Sequence, residues 1–445
     1  MNSVSLIRGF SAESVFAYRG RQAIGAKEFL DHVAQLAAVL PDRGHVLNLF
    51  SDRYRFAVGL AAALVRKQVS LLPPNLTPHL IAQLMGDYAD LYCLGDGQPL
   101  PVALETVSFT EAPADGRKAL TVPLVPDGQV AVTVFTSGST GKPVPHAKTW
   151  GGLARGAKME IGRLSPRVCP GMSVLSTVPP QHMYGLESTV VMPMQGGLAL
   201  HAGRPFYPAD VRSELAALPR PRALVTTPVH LRVLLAEASD LPATDLLLCA
   251  TAPLPPQLAA AAERHFSAPL HEIYGCTEAG QIATRRTVVT EEWDILPGVT
   301  LSAEPEGTRV EGPHMEGNAL LGDIIELRGK GRFVLHGRTA DMINVAGKRT
   351  SIAHLNYHLN SIKGVRDGAF VMPERDGERE PRLMALVVAP ELTSQTVMNA
   401  LRERIDAAFL PRPLCFVEAL PRNATGKLPR HAVNELLTGL ELKVE

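Results

Sequence analysis

The sequence predicts an α/β fold, with a large multi-sheet domain at the N-terminus and a small α+β domain at the C-terminus. Its 445 residues exceed the size at which one hydrophobic core usually stops growing. Short apolar strands alternate with helical patterns over most of the chain, and this texture changes after Gly322. Length and pattern together therefore predict two domains.

The alternation begins with a helix-like run and a buried strand. The run has apolar residues at Phe29, Val33, Leu36 and Leu40, and the strand covers 46–50. Later segments of the same kind are predicted strands over 130–135 and 223–226 and predicted helices over 228–235 and 255–266. This order is typical of a parallel sheet that is covered by helices.

The last part of the chain has shorter predicted strands and a glycine-punctuated stretch that reaches Gly347, followed by helix, strand and helix. We place the domain boundary at 338–341. The large domain then spans 1–338 and the small domain spans 339–445. Both are long enough to form a hydrophobic core of their own.

Charge and cysteine usage exclude several classes of function. The 44 basic residues balance the 44 acidic ones, so no overall field attracts nucleic acid or an anionic membrane. The five cysteines are scattered without a C-x-x-C pair, which favours reduced thiols over a zinc or redox site. Residues 1–14 lack the apolar core of a signal peptide, and the richest apolar stretch, 58–65, is too short to span a bilayer. We therefore expect a soluble, cytoplasmic protein with no membrane span.

The most informative segment, 134–143, is a predicted strand that runs into a loop of small residues. Glycines let backbone amides approach phosphate oxygens, and Ser and Thr hydroxyls add donors without bulk. The residues that we assign to phosphate binding are Thr136, Ser137, Gly138, Ser139, Thr140, Gly141 and Lys142. A Walker loop needs a glycine at position 136 and a Ser or Thr at position 143, so ordinary P-loop architecture is disfavoured. The alternative is a flexible surface loop.

Three further motifs follow this T-S-G-S-T-G-K-P loop in a fixed order. They are Tyr274-Gly275-Cys276-Thr277-Glu278, then Gly322-Asp323 with Gly337-Arg338, and finally Pro421-Arg422-Asn423-Ala424-Thr425-Gly426-Lys427. Together the four motifs resemble the adenylate-forming superfamily, which includes acyl-CoA synthetases, aryl-CoA ligases and peptide-synthetase adenylation domains. The resemblance extends from Thr136 to Lys427 and is loose before Val130.

The resemblance implies a site for ATP. Its adenine-binding residues are Tyr274, Gly275, Thr251, Ala252 and Pro253. Tyr274 stacks on the base, and the backbone of 251–253 lines the other side. Asp323 accepts hydrogen bonds from the ribose hydroxyls, with Arg338 nearby. Taken alone, Asp323 would more often be a turn residue.

The resemblance also implies the groups that act on the reacting charges. Thr277 bonds the α-phosphate, and Glu278 holds Mg²⁺, whose charge offsets the polyphosphate. Lys427 bridges the substrate carboxylate and the α-phosphate, so positioning and electrostatics dominate catalysis. His182, in an H-x-x-G segment, borders and gates the acid pocket. Outside this frame Lys427 would be a solvated lysine and His182 a packed turn histidine.

Several positions depart from the family pattern. Val144 replaces the lysine that follows the loop proline, so Lys148 either takes over its charge at the phosphate or faces solvent. Ala340 stands where a hinge aspartate or lysine is common, next to Asp341. No aspartate lies in 179–187, which favours an acyl or aryl acid over an amino acid. The P-x-P-H-x-K-x-W variant resembles, with lower specificity, the compact ligases of aryl-polyene and xanthomonadin-type pathways, which activate hydroxybenzoate-like acids.

The expected function is a two-step activation of a carboxylic acid. The acid and ATP first give acyl-AMP and pyrophosphate. The small domain then rotates about 338–341 and presents the Gly347 segment to a phosphopantetheine thiol, which belongs to CoA or to an acyl carrier protein. Basic residues that could contact a carrier, or equally form a solvated face, are Lys348, Arg349, Arg422 and Arg430.

Two other classes of function compete with this one. A catalytically impaired nucleotide-binding protein of the same fold is supported by Val144 and Ala340, whereas Glu278, Asp323 and Lys427 are retained. An unrelated NTPase or kinase fails on the Walker spacing. ATP hydrolysis that needs no carboxylic acid would favour that last class.

Overall fold

The structure of the chain is a computed structural model that describes residues 2–97, 100–112, 120–137, 143–237, 240–329, 331–338, 342–345, 348–372, 383–423 and 426–441. The α-helices, in chain order, are α1 (Ala26–Val39), α2 (Arg53–Val65), α3 (Pro78–Asp87), α4 (Trp150–Leu164), α5 (Met183–Leu186), α6 (Met192–Gly196), α7 (Pro208–Ala217), α8 (Pro228–Glu237), α9 (Pro256–Phe266), α10 (Ile352–Asn360), α11 (Ser394–Arg402) and α12 (Arg430–Glu441). A π-helical turn, Glu187–Val191, joins α5 to α6, and a 3₁₀ turn covers Ala407–Phe409.

The strands, in chain order, are β1 (Ser3–Ser5), β2 (Val15–Arg19), β3 (Gln22–Gly25), β4 (His45–Asn48), β5 (Val69–Leu72), β6 (Tyr92–Leu94), β7 (Thr106–Val107), β8 (Leu124–Pro126), β9 (Val130–Ser137), β10 (Pro143–Thr149), β11 (Ser173–Ser176), β12 (Ala199–His201), β13 (Arg222–Thr226), β14 (Leu246–Cys249), β15 (Leu270–Cys276), β16 (Gly280–Arg285), β17 (Trp293–Ile295), β18 (Thr300–Glu304), β19 (Gly307–Glu311), β20 (Asn318–Leu321), β21 (Asp323–Arg328), β22 (Arg332–Arg338), β23 (Met342–Val345), β24 (Lys348–Ser351), β25 (Asp367–Val371), β26 (Met384–Val388) and β27 (Leu414–Phe416).

Two large sheets organise the first three quarters of the chain. The six-stranded sheet has the order β10-β9-β5-β4-β6-β7, and all of its pairs are parallel except β9 with β10. The eleven-stranded sheet has the order β21-β22-β17-β16-β15-β14-β13-β11-β12-β2-β3. Its segment from β15 to β2 is parallel throughout. The predicted parallel sheets with covering helices are therefore confirmed.

Helix α2 connects the cores of these two sheets. Its residues from Arg53 to Leu64 are buried except Arg55, and it contacts β4, β5 and β9 on one side and β12 on the other. A helix that is apolar around its whole circumference is stable only when it is enclosed. The stretch 58–64 is thus part of an enclosed core helix. Asp52 caps the N-terminus of α2 by accepting a hydrogen bond from the Arg55 amide at 2.9 Å.

The last quarter forms a smaller sheet with its own apolar clusters. Strands β25, β26 and β27 lie side by side, and α10, α11 and α12 cover them. The buried residues of these two clusters all lie after residue 350, with Leu355 and Leu437 as the outer members. This is the predicted α+β arrangement. The boundary at 338–341 itself stays a prediction, because 339–341 are outside the described residues.

The individual predicted elements agree closely with the observed ones. The helix predicted around Phe29 is α1, and the strands predicted over 130–135 and 223–226 are β9 and β13. The two helices predicted after them are α8 and α9. Across the described ranges, no helix combines the length and the apolar character that crossing a membrane requires.

Candidate active site

The predicted site residues gather at the carboxyl ends of neighbouring parallel strands. Strand β11 leads to His182, β14 leads to Thr251, and β15 ends at Cys276. Because β11, β13, β14 and β15 are parallel, their carboxyl ends share one edge of the sheet. Ligands of α/β proteins commonly bind at such an edge. The parallel pairing of these strands thus brings segments that are distant in sequence to one edge of the sheet.

The two residues predicted for adenine and ribose are in direct contact. The Tyr274 hydroxyl donates a hydrogen bond to Asp323 Oδ2 at 2.8 Å. The Tyr274 ring also packs against Trp293 and Phe333, with centroid distances of 5.6 and 5.5 Å. Asp323 begins β21 and pairs with Arg338 across the β21–β22 ladder. Tyr274, Asp323 and the Arg338 backbone are therefore positioned by one sheet.

The predicted adenine segment 251–253 follows β14, which is the parallel neighbour of β15. Thr251 has a backbone φ of 84°, a left-handed value that a β-branched residue rarely adopts. The other non-glycine residues described with positive φ, Lys67 and Ser267, follow helix ends. Such strain costs about 1–3 kcal/mol and tends to occur at functional sites. Thr251 lies two residues after the end of β14, where no helix end accounts for its conformation.

A tight turn presents Thr277 and Glu278. Strands β15 and β16 pair antiparallel, with Cys276 opposite Gly280, so the turn consists of 277–279. A Cβ at Gly275 would lie 2.2 Å from the Gly280 carbonyl oxygen, which is far inside van der Waals contact. Gly275 is therefore required by the close approach of the two strands. The turn leaves the Glu278 side chain exposed to solvent.

Histidine 146 connects the stem of the predicted phosphate loop to this turn. Thr136 Oγ1 lies 2.9 Å from His146 Nε2, and the same nitrogen is 3.9 Å from Glu278 Oε1. Burial lowers the pKa of His146, while the Glu278 carboxylate opposes that shift. Of the predicted loop residues, Thr136 and Ser137 end β9, and 138–142 lie outside the described residues. The stem of the loop is thus next to the predicted Mg²⁺ ligand.

Lys148, on β10, contacts the backbone of the same turn. Its side chain is buried, so the expectation that it could face solvent is wrong. Lys148 Nζ donates to the Glu278 carbonyl oxygen at 2.6 Å. Burial lowers the pKa of Lys148, and the buried Glu187 carboxylate is the strongest opposing influence. His146 and Lys148 are two positions apart on β10, so they share one face of the strand. This two-residue spacing was the sequence signal that could have placed Lys148 beside His146.

His182 lies at the start of α5. Burial lowers its pKa to about 4, and the positive charge of Lys427 contributes to the shift, so His182 is neutral at pH 7. Its Nδ1 is buried and has no hydrogen-bond partner among the described residues. The H-x-x-G segment requires glycine at position 185 for a steric reason, because a Cβ there would lie 1.9 Å from the Pro179 carbonyl oxygen.

Arg53 fixes the backbone that leads to His182, and the sequence analysis missed it. This fully buried guanidinium donates to carbonyl oxygens at the ends of β11 and β12 and in the loops that follow, which are those of Ser176, Val178, His201 and Gly203. Burial lowers the pKa of Arg53 to about 9, so it remains charged near neutrality. An arginine at the start of the largely apolar helix α2 was the signal that could have identified it.

The segment that carries Lys427 is a compact loop. The Lys427 amide donates to Asn423 Oδ1 at 3.0 Å, and the Asn423 amide donates to the Lys427 carbonyl oxygen at 2.9 Å. Gly426 has a φ of 78°, and a Cβ there would lie 2.9 Å from Val229 Cγ2 on α8. The loop therefore rests on α8, and the charge of Lys427 reaches His182. The Lys427 segment and the H-x-x-G segment are therefore close to each other.

A second buried polar group lies behind the site. Glu160 on α4 accepts hydrogen bonds from Ser188 Oγ at 2.9 Å and from Gln281 Nε2 at 2.8 Å. Burial raises the pKa of Glu160 to about 7, in spite of these two donors. No sequence pattern indicated this buried carboxylate, because a glutamate in an amphipathic helix is normally solvated.

The donor set at the turn suits Mg²⁺ bound together with phosphate. Glu278 offers one exposed carboxylate, and the described residues contain no group of three or more His, Cys, Asp or Glu side chains arranged for a metal ion. Mg²⁺ in nucleotide sites commonly takes one or two carboxylates and fills its other positions with phosphate oxygens and water. Glu278 fits that role.

A family model for AMP-binding enzymes matches residues 11–310, which is more than half of the chain. The chain belongs to the AMP-binding enzyme family. The predicted resemblance to the adenylate-forming superfamily is thereby confirmed, while the likeness to aryl-polyene and xanthomonadin-type ligases stays a prediction.

Relatives of this AMP-binding enzyme include CoA ligases. The 4-coumarate–CoA ligase of Halorhodospira halophila is 29% identical over 313 residues, which cover 67% of this chain and 74% of that protein. The 3-hydroxybenzoate–CoA/4-hydroxybenzoate–CoA ligase of Thauera aromatica is 24% identical over 407 residues, covering 81% and 76%.

Solved structures share the fold of this AMP-binding enzyme. The anthranilate CoA ligase AuaEII in complex with anthranoyl-AMP has a TM-score of 0.79 at 16% identity and covers 97% of this chain and 95% of its own. ATP-bound MatB from Rhodopseudomonas palustris has a TM-score of 0.79 at 17% identity, with 97% of each chain covered. The predicted α/β class with a large multi-sheet domain is confirmed by this likeness.

Proposed function

We propose that this AMP-binding enzyme activates a carboxylic acid with ATP and transfers the acyl group to a thiol. The observation that carries the proposal is the packing of the Lys427 loop on α8 through Gly426, beside the sheet edge where Tyr274 and Asp323 are hydrogen-bonded. We propose Lys427 as the cation, His182 as the neutral wall that borders the acid and the Tyr274–Asp323 pair as the nucleotide-binding residues. These are the parts that adenylation of a carboxylate needs.

In the first half-reaction a carboxylate oxygen attacks the α-phosphorus of ATP. The bond to the β-phosphate breaks, and acyl-AMP and pyrophosphate result. No proton is consumed, so catalysis depends on charge and position. Lys427 is proposed to bridge the carboxylate and the α-phosphate, and Thr277 and the loop 136–142 are proposed to donate hydrogen bonds to the phosphates.

His182 is suited to border the acid because it is neutral. With a pKa of about 4 it adds no second positive charge beside Lys427 at pH 7. The neutral ring also cannot form an ion pair that would hold the acid in an unproductive position. We propose that Mg²⁺, when bound through Glu278, supplies positive charge to the departing pyrophosphate.

The proposed substrate class is an aryl acid of the hydroxybenzoate type. Relatives named for 4-coumarate and hydroxybenzoates support it. The segment 179–187 has one acidic side chain, Glu187, which is buried close to Lys148. That carboxylate is not offered to a substrate ammonium group, which disfavours an amino acid.

In the second half-reaction a phosphopantetheine thiol attacks the acyl carbonyl and AMP leaves. The thiol proton is lost to solvent as the thioester forms. We propose CoA or an acyl carrier protein as the source of the thiol, after rotation about 338–341 exchanges the Lys427 segment for the Gly347 segment. An open cavity of about 600 Å³ beside Gln181, the neighbour of His182, supports access for such an arm.

The test is carboxylate-dependent exchange of pyrophosphate into ATP, with 4-hydroxybenzoate, 4-coumarate, octanoate, palmitate and phenylalanine as probes. We expect exchange with the aryl acids, and Lys427→Ala to lower it by about 10²–10³-fold, as loss of one charge-stabilising group does. Lys158→Ala, which removes an exposed lysine of α4, is the matched control and keeps full exchange.

The other outcomes separate the competing functions. ATP binding without exchange for any acid would favour the nucleotide-binding protein of the same fold. Hydrolysis of ATP at equal rates with and without acid would favour an unrelated NTPase. Exchange with phenylalanine alone would overturn the proposed substrate class but keep the reaction.

A further inference from the structure

Asp367, at the start of β25, joins two arginines from different parts of the fold. Its carboxylate accepts hydrogen bonds from Arg422 Nε at 2.7 Å and Arg422 Nη2 at 2.8 Å, which is the bidentate geometry of a strong pair. Arg232 Nη1 lies 3.3 Å from Asp367 Oδ1. The three side chains are only 18–20% exposed. We call this group the Asp367 latch.

One arm of the Asp367 latch braces the loop that carries Lys427. Arg422 Nη1 also donates to the Gly426 carbonyl oxygen at 3.0 Å. The guanidinium therefore joins the beginning of the loop to the residue immediately before Lys427. Because the loop is short and its amides bond within it, a shift of Arg422 would shift Lys427.

The other arm reaches the large sheet through α8. Arg232 lies on α8, and the first turn of the same helix supports Gly426 through Val229. The Lys427 segment thus contacts α8 twice, once by packing and once through Arg232 and Asp367. Packing alone has no charge to set the direction of approach, whereas the ion pair does.

The electrostatics make Asp367 necessary for both arms. Burial lowers the pKa of Arg232, the Asp367 carboxylate opposes that shift, and the neighbouring Arg422 charge adds to it. Without the carboxylate, two half-buried guanidinium groups would repel each other. Breaking such a pair costs far more than breaking an exposed one.

We infer that Asp367 and Arg232 are positioning residues for Lys427, and that the Arg232–Asp367 contact opens when the Lys427 segment leaves the site. The inference rests on the proposed function. It assigns adenylation to the closed latch and leaves the thiol step independent of it. Arg422 stays bound to Asp367 in both steps, since both residues belong to the C-terminal quarter of the chain.

The test measures the two half-reactions separately in the full-length enzyme with 4-hydroxybenzoate or whichever probe acid gives exchange. Pyrophosphate exchange reports adenylation, and thioester formation from synthetic acyl-AMP and CoA reports the thiol step. We expect Arg232→Gln to lower kcat for exchange by about tenfold, with the KM of ATP and acid within about twofold. Thioester formation from acyl-AMP should stay unchanged or become faster.

Two variants separate positioning from general stability. Arg232→Lys keeps a cation on α8 and should recover most of the exchange rate. Arg220→Gln is the matched control, because Arg220 also forms a bidentate pair with an aspartate, Asp245, but at the amino ends of β13 and β14. It should leave both half-reactions unchanged.

The inference is overturned if Arg232→Gln lowers both half-reactions equally, or if exchange is unaffected. Wild-type enzyme that exchanges normally in either case shows that the proposed function holds while the latch does not. If none of the probe acids supports pyrophosphate exchange in the wild-type enzyme, the proposed function and the latch are both overturned.

Discussion

The nucleotide side and the lysine side of the site are built in different ways. Tyr274 and Asp323 belong to one continuous sheet, and a 2.8 Å hydrogen bond joins them. Lys427 lies on a loop outside that sheet, and its contacts to α8 are the packing of Gly426 on Val229 and the Asp367 latch. The difference teaches that the proposed nucleotide site is preorganised, whereas the proposed catalytic lysine is held by contacts that we infer can open.

The largest expected effect comes from breaking the packing of the lysine side with Gly426→Ala. The added Cβ would meet Val229 Cγ2 at 2.9 Å and would strain a φ of 78°. A displacement of about 1 Å at the reacting groups can cost about 10²-fold in rate. We expect exchange to fall by about that factor while ATP binding, measured by calorimetry, is kept.

A matched control separates strain from displacement in that experiment. Gly97→Ala introduces the same Cβ at a φ of 79°, but no atom lies within 4 Å of it. It should lower thermal stability slightly and leave exchange intact. Equal losses of exchange in both variants would contradict the role of the Val229 contact.

An intermediate effect is expected on the nucleotide side from Tyr274→Phe. The ring remains, but Asp323 loses the donor that orients it. The KM of ATP should rise by about three- to tenfold with kcat nearly unchanged, since the net contribution of a typical intramolecular hydrogen bond is about 0.5–1.5 kcal/mol. Tyr92→Phe, which removes the buried hydroxyl bonded to Gln68 at 2.7 Å, is the control and should leave KM unchanged. A fall in kcat alone would argue against a preorganised nucleotide side.

The smallest expected effect is a change in the pKa of His182, which reports whether Lys427 lies near His182 in solution. Burial and the Lys427 charge both hold the pKa of His182 at about 4. In Lys427→Ala the pKa of His182 should rise, because the charge that opposes protonation is gone. Nuclear magnetic resonance titration of the His182 ring, assigned through His182→Gln, measures the change.

The sign of the pH dependence follows from that shift. A histidine with a lowered folded-state pKa stabilises the fold above its unfolded value of about 6.5, and this contribution is lost as the pH falls towards 4. Lys427→Ala should therefore lose less stability on acidification than the wild type. An unchanged His182 titration would place Lys427 away from the site in the free enzyme.

Sequence patterns predicted the framework of the fold and the nucleotide motifs, for physical reasons. Helical apolar periodicity marked α1, which buries one face, and continuous apolar runs marked β9 and β13, which are buried on both faces. Glycines marked the site where backbones approach closely, as at Gly275 and Gly185. The roles predicted for Tyr274 and Asp323 came from the order of the four motifs and their resemblance to the adenylate-forming superfamily, since Asp323 taken alone would more often be a turn residue.

The supporting contacts could not be predicted because their partners are far apart in sequence. Arg232 and Asp367 are 135 positions apart, and neither residue stands in a recognisable motif. Lys148 was expected either at the phosphate or in solvent, yet it is buried under Glu278 because β10 folds back against β9. Such contacts depend on the register of the sheets, which apolar patterns do not specify for polar side chains.

Helix α2 has a consequence for how the chain folds. Because it is enclosed by both large sheets, neither sheet has a complete core until the other is in place. The two sheets therefore form one cooperative unit, although more than a hundred residues separate their central strands in the chain. During synthesis, α2 remains without its second wall until β12 has emerged, and that interval is when the nascent chain exposes its most apolar segment.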